Sequence, residues 1–419
     1  KKLTVTQTSD ATYAGVMSGT GGQLTKEGAY TLTLTGSNTF TGPLTVSGAT
    51  VRVDSVAKIG PGAITLSSGT LALTGSTTIA NTISLKGASG VSMGANNVTL
   101  SGTIQDVGVA PNNGSLAISG TGTMTLSGSN TYSGGTSVGT GATLSIASAA
   151  NIGSGSLSLT DATMQLTAPL TLNSAIGLTG SNSLNIGANA VTLTGVISGT
   201  GSFTKNGSGT LTISGDNGFS GGTTIAEGTV TLTGSGDLGT GPVALSGTTL
   251  NVQASPSTTK TFSGVVSGNG TLSISGGGTV ALTGNNTFTG STSVTSSTLS
   301  LGSVSALGGS SLSLDTSTVT TTASVNISGN VSLTGANTLN TGAFADTISG
   351  IVSGTGSLTK TGSGSLALTG VNTYSGGTTI TAGTLSVSDA SGLSSGAVTL
   401  NGGTLGLAAG LTIINNVSV

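Results

Sequence analysis

The sequence predicts an all-β protein, a parallel β-helix with about 20 residues per coil, and three observations carry that prediction. The first is a phrase that occurs five times. It reads KTGSGSLALTGVNTYSGGTTITAGTLSV from Lys360 and returns from Lys26, Ile118, Lys205 and Ile274, marking super-repeats at 26–53, 118–146, 205–232, 274–301 and 360–387. A repeat at this scale decides the architecture before any local argument. The second is alternation: in Leu366 and Leu368, or Leu385 and Val387, apolar residues alternate with small polar ones, and glycines separate the runs, which is the pattern of short strands joined by turns. The third is spacing. The strand centres Leu368, Ile380, Val387, Leu400 and Leu407 follow one another by 12, 7, 13 and 7 residues, so a long and a short step together make one coil.

Each element of the phrase has a reading. The motif asparagines Asn38, Asn130, Asn217, Asn286 and Asn372 are 92, 87, 69 and 86 residues apart. The 69-residue interval is close to one whole coil shorter than its neighbour, a deletion that keeps register where half a coil would turn buried side chains outward. At a coil corner the asparagine reads as a turn residue capping backbone groups. Two residues before it stands Gly36, Gly128, Gly215, Gly284 or Gly370, and four residues after it Gly42, Gly134, Gly221, Gly290 or Gly376. These glycines are expected to take the positive φ of sharp corners. The aromatic two residues after the asparagine, Phe40, Tyr132, Phe219, Phe288 or Tyr374, accounts for half of the ten aromatics and reads as the filler of the widest corner. Lys26, Lys205 and Lys360 precede their asparagines by 12 residues, which raises the idea of a lysine–asparagine crosslink. That chemistry wants a neighbouring carboxylic acid, and Ile118 and Ile274 hold the same place in two repeats, so the lysines are expected to be solvated.

Composition narrows the function. With 34% hydrophobic and 2% aromatic residues and no Trp, the core must be thin and aliphatic, while 5% charge and abundant Val, Ile and Thr argue against disorder. The net charge of −2 comes from scattered residues, leaving no basic stripe for a nucleic acid. The absence of His and Cys removes a serine-hydrolase triad and a zinc site. Asp10, Asp54, Asp106, Asp161, Asp216, Asp237, Asp315, Asp346 and Asp389 stand far apart with Arg52 as the one arginine, although Asp216 and Asp237 are about one coil apart and can stack. The glycine turns lack the aspartate of calcium-binding repeats and the Gly-Lys pair of a phosphate loop, so no cofactor is expected. The start, KKLTVTQTSD, has no apolar stretch of a signal peptide, and the longest nearly apolar run, Leu405 to Ile414, is far short of the ~20 residues of a membrane helix.

The phrase G-S-L-x-K-x-G-x-G-x-L-x-L-x-G-x-N-x-Y-x-G-x-T-x-I-x-x-G-x-L, read from Gly356 to Leu385, resembles the autotransporter-associated β-strand repeat, also called the passenger-associated transport repeat. The resemblance implies a right-handed β-helix passenger exported from a Gram-negative bacterium, commonly an adhesin or surface fibre, in which the motif serves secretion and folding and has no catalytic role. The expected function is therefore a structural or adhesive surface solenoid, secreted or cell-surface, with Thr, Ser and Asn ladders such as Thr31, Thr33 and Thr35 or Thr210, Thr212 and Ser214 facing glycans or a neighbouring cell surface. Three alternatives stand beside it. A polysaccharide-acting β-helix enzyme needs a groove with two carboxylates. An ice-binding face needs the same Thr pair on every coil. A filament subunit would stack head to tail, since neither end carries an evident cap and joining tail to head preserves the repeat spacing.

Overall fold

The computed structural model describes residues 1–108 and 113–419. The chain is an all-β parallel solenoid of about 21 turns with ~20 residues per turn. Among the described residues the two single turns Val56–Lys58 and Ala149–Ile152 are the only helical pieces. Strands stay short because glycine interrupts every run, and within them the predicted alternation holds: Ser365–Leu368 and Thr384–Val387 each bury every second residue. Inward residues stack in files. Leu24 lies in register with Leu44, then Ile64, Ile83 and Ile104, so one coil takes 19 to 21 residues. Each fully buried aliphatic side chain stabilises by about 1.5–3 kcal/mol, and the file supplies its neighbours above and below.

Contacts divide the chain into two compact units, residues 1–209 with 218–221, and residues 210–217 with 222–419. In the first unit one sheet runs from Lys2–Thr6 to Ile104–Asp106, a second from Ala11–Tyr13 to Ile197–Gly199, and a third from Thr77–Ile79 as far as Ser202–Asn206. The repeats open on these sheets in turn. Lys26 lies in Gln23–Glu27 of the first, Ile118 in Ser115–Ser119 of the second, and Lys205 in Ser202–Asn206 of the third. A super-repeat is therefore a whole number of coils plus one side of the solenoid. In the second unit the step recurs: Ile274 lies in the sheet running from Thr210–Ile213 to Val352–Gly354, and Lys360 in the next, from Thr259–Phe262 to Val417–Ser418.

The reason is local. The stretch from each asparagine to the following glycine is irregular, so the sheet on that side stops there. In the first unit the sheet ending at Ile104–Asp106 is followed on its side by the Asn130 corner, which bonds to Ile104 and to Asn151 of the Ala149–Ile152 turn. Strand pairing resumes with Leu170–Leu172.

Candidate functional site

The five asparagine corners share one geometry. Asn286 accepts a hydrogen bond at Oδ1 from the Val266 amide, one coil back (2.7 Å), and donates from Nδ2 to the Ala306 carbonyl, one coil on (2.6 Å). Asn372 does the same with Val352 (2.8 Å) and Gly392 (2.7 Å), Asn38 with Met17 (2.7 Å) and Lys58 (2.5 Å), and Asn130 with Ile104 (2.8 Å) and Asn151. Asn217 donates to the Asp237 carbonyl at 2.8 Å. All five are buried. The side chain thus adds to the backbone bonds that the corner itself keeps, such as the Asn286 amide to the Ser305 carbonyl and the Thr287 amide to the Val266 carbonyl, and it ties three coils together.

The motif aromatics Phe40, Tyr132, Phe219, Phe288 and Tyr374 are buried at 2% exposure or less, so none of these five rings can serve as a binding platform. The two tyrosines place their hydroxyls against Thr136 (2.5 Å) and Thr378 (2.6 Å). Phe219 also meets Phe203 edge-on at 6.3 Å between ring centres. One coil after each aromatic a second apolar side chain is buried, Ile59, Ile152, Leu238, Leu307 or Leu393, a recurrence that lies outside the phrase.

The glycines correct the sequence reading. None of Gly36, Gly42, Gly128, Gly134, Gly215, Gly221, Gly284, Gly290, Gly370 and Gly376 has a left-handed φ, and that conformation falls instead on neighbours such as Gly135, Gly222 and Gly377. The motif glycines are needed because coils touch there. A Cβ on Gly42 would come 2.5 Å from the Gly22 carbonyl oxygen, on Gly370 2.6 Å from that of Gly350, and on Gly284 2.8 Å from that of Gly264.

The lysines are a second correction. Lys26, Lys205 and Lys360 are completely buried, not solvated. Lys205 Nζ donates to the carbonyls of Gly207 (2.5 Å) and Gly209 (2.7 Å), Lys360 Nζ to those of Thr361 (2.9 Å), Gly362 (2.9 Å) and Ala382 (3.2 Å), and Lys26 Nζ to that of Glu27 (2.5 Å). Lys260, outside the phrase, reaches the carbonyls of Gly234 (2.8 Å) and Gly236 (2.6 Å) in the same manner. Each ammonium uses its N–H donors on carbonyl oxygens that the turn beside it points inward.

Burial pushes Lys26, Lys260 and Lys360 below the ordinary lysine range, against the opposing pull of Asp10, of Asp237 and Asp216, and of Asp346. Burial likewise pushes Asp346 and Asp237 up. Asp346 is stapled by the Thr321 hydroxyl (2.7 Å) and the Val325 amide (2.9 Å), which lower it less than burial raises it. For the carboxylates the folded state holds protons the unfolded state has released, so their contribution is greatest in acid and is lost as pH rises above about 4. For the lysines the folded state holds fewer protons, and stability returns as pH climbs towards about 10.4. Burial raises Tyr132 to about 12 and raises Tyr374, which reverses the gain above about 10, where unfolded tyrosines ionise. Melting curves should show a higher Tm at pH 4 than at pH 7 and a second rise ending near pH 10. A Tm that falls steadily on acidification would contradict this assignment.

One cleft in the second unit brings titratable groups together. It encloses about 630 Å³ and is lined by Asp216, Asp237, Lys260, Ser235, Thr240 and Thr258 among others. Asp216 and Asp237, which the spacing allowed to stack, do meet here. At this cleft Gly234 and Gly236 stand at the places that Ser55 and Ala57 occupy in the first repeat. One Asp237 oxygen accepts from the Gly239 amide (2.9 Å), and the Lys260 ammonium is held by the carbonyls named above. Elsewhere carboxylates cap backbone, as Asp106 does for Gly114 (2.8 Å) and Asp161 for Ser181 (2.8 Å). Among the described residues no three His, Cys, Asp or Glu gather as a metal-binding group.

No curated protein and no solved structure matches the chain. The family model of the passenger-associated-transport-repeat matches it five times, at residues 24–53, 119–146, 203–232, 275–301 and 358–387. These matches take in the asparagine corners, the three motif lysines and the stacked glycines, so the chain is a β-solenoid that carries five copies of the passenger-associated-transport-repeat.

Proposed function

We propose that this solenoid is a structural and adhesive part of an autotransporter passenger, displayed on the outer surface of a Gram-negative bacterium or secreted from it. One observation supports the reading above others: in every copy the asparagine of the repeat is spent on neighbouring coils, as Asn372 is on Val352 and Gly392, and where the repeat carries a lysine its ammonium is spent on backbone carbonyls, as Lys360 is on Thr361, Gly362 and Ala382. The repeat is thereby a device for building coils, and what remains for partners is the outward polar surface of the strands. The chain, fused between a signal peptide and an outer-membrane translocator barrel and carrying an epitope tag, should become sensitive to protease added to intact cells. Retention of the tag in the periplasm would overturn the reading.

The Asp216–Asp237 cleft favours a second reading, polysaccharide cleavage with Asp237 as proton donor, because burial raises that carboxyl and a second carboxylate lies beside it. Release of reducing ends by the chain, lost in Asp237→Asn, would put catalysis in place of the stalk.

A further inference from the structure

One sheet of the second unit carries an outward file of a single residue type. From Thr259 and Thr279 through Thr298, Thr318 and Thr338 to Thr399, eight threonines occupy successive strands in register. Two residues further along the same strands the second file reads Thr261, Ala281, Ser300, Thr320 and Asn340. Neither file holds a charge. The lysines on these strands, Lys260 and Lys360, point inward with their ammoniums on backbone carbonyls.

We propose that this threonine file is the docking line of an extended, uncharged polysaccharide that lies along it. Four features select that partner. Threonine is β-branched and stiff at χ1, so the hydroxyls stand preorganised and little rotamer freedom is lost on binding. Without a cation the file offers nothing to an acidic polymer. At ~4.8 Å per strand it is ~34 Å long and a side chain or two wide, a few hundred Å² against the about 800 Å² per partner of a stable protein interface, which disfavours a second protein chain. A two-dimensional lattice such as ice needs two regular files, and Ala281 and Asn340 break the second, whereas a linear polymer needs one. With no exposed aromatic along it, each contact is weak, and affinity comes from many rows engaging one chain.

The proposal rests on the adhesive part of the function above, but its test uses the purified full chain and so is independent of export. Native gels containing hydroxyethylcellulose, linear xylan or linear mannan should retard the chain, and heparin should not. The triple variant Thr298→Val, Thr318→Val and Thr338→Val keeps β-branching and shape while removing three hydroxyls. At roughly fivefold per net hydrogen bond it should weaken binding about 100-fold with an unchanged circular dichroism spectrum. Thr229→Val, Thr249→Val and Thr271→Val, on another sheet of the same unit, should bind as the parent does. No retardation by any of the three neutral glycans, equal retardation by heparin, or unchanged binding by the first triple variant would overturn the proposal. So would equal loss in both triple variants, or inhibition of ice recrystallisation that the first variant abolishes.

Discussion

Alanine at Gly290 is expected to open the solenoid locally at a cost of about 3 kcal/mol or more, the range reserved for forced overlap in a packed interior. The added Cβ would fall on the carbonyl of Gly270, which is backbone of the preceding coil and cannot swing aside as a side chain would. Each coil touches its neighbours alone, so the damage should stay regional. Hydrogen exchange should show lost protection in Thr271–Ser275 and Ser291–Thr295, with distant strands unchanged. Gly218→Ala is the matched control, since a Cβ there meets nothing within 4 Å. The other repeats carry Thr39, Thr131, Thr287 and Thr373 at that place, and the substitution should be silent or stabilise by about 0.4–1 kcal/mol. Equal loss of protection in the two variants would show that coil contact does not fix the motif glycines.

Asn372→Ala should rank second. It strands the Val352 amide and the Gly392 carbonyl in the interior, and at about 1–3 kcal/mol for each unsatisfied group the loss is about 2–6 kcal/mol. Asn372→Asp keeps the acceptor for Val352 but, when ionised, loses the donor to Gly392. A protonated carboxyl regains an O–H donor, so this variant should recover part of its Tm at pH 4 while Asn372→Ala recovers none beyond the parent's own pH response. Parallel pH curves for both variants would mean that the bond to Gly392 contributes little.

The coil length, the inward files and the short strands were legible because they are written in local alternation: Leu366 and Leu368 already declare their face. The lysines were open to the same reading. Lys360 has the parity of Leu358, and Ile118 and Ile274 at the equivalent place mark an inward position, but a charge in a thin core reads as surface until its carbonyl partners are seen. The role of the motif glycines was not legible, since the atoms that exclude a side chain at Gly370 belong to Gly350, and what looks like a demand on φ is a demand on space. The Asp216–Asp237 cleft was half legible. The spacing of the two carboxylates showed in the sequence, whereas Lys260 joins them across a longer step that emerges once the coils are closed.

The advance of the motif by one side per super-repeat bears on how such a protein would resist being pulled apart. Each asparagine corner interrupts regular strand pairing on its own side, where isolated amide–carbonyl bonds and the asparagine hold the coils, and such an interruption is a gap in the ladder proper. Were all the corners on one side, the gaps would line up as a perforation, and a tear begun at one would run to the next. In the first unit the repeats at Lys26, Ile118 and Lys205 open on three different sheets. A tear at one corner therefore meets unbroken ladder on the flanking sides, and the asparagine there already clasps the coils above and below it. The stagger works as a crack arrester, confining mechanical failure to a few coils.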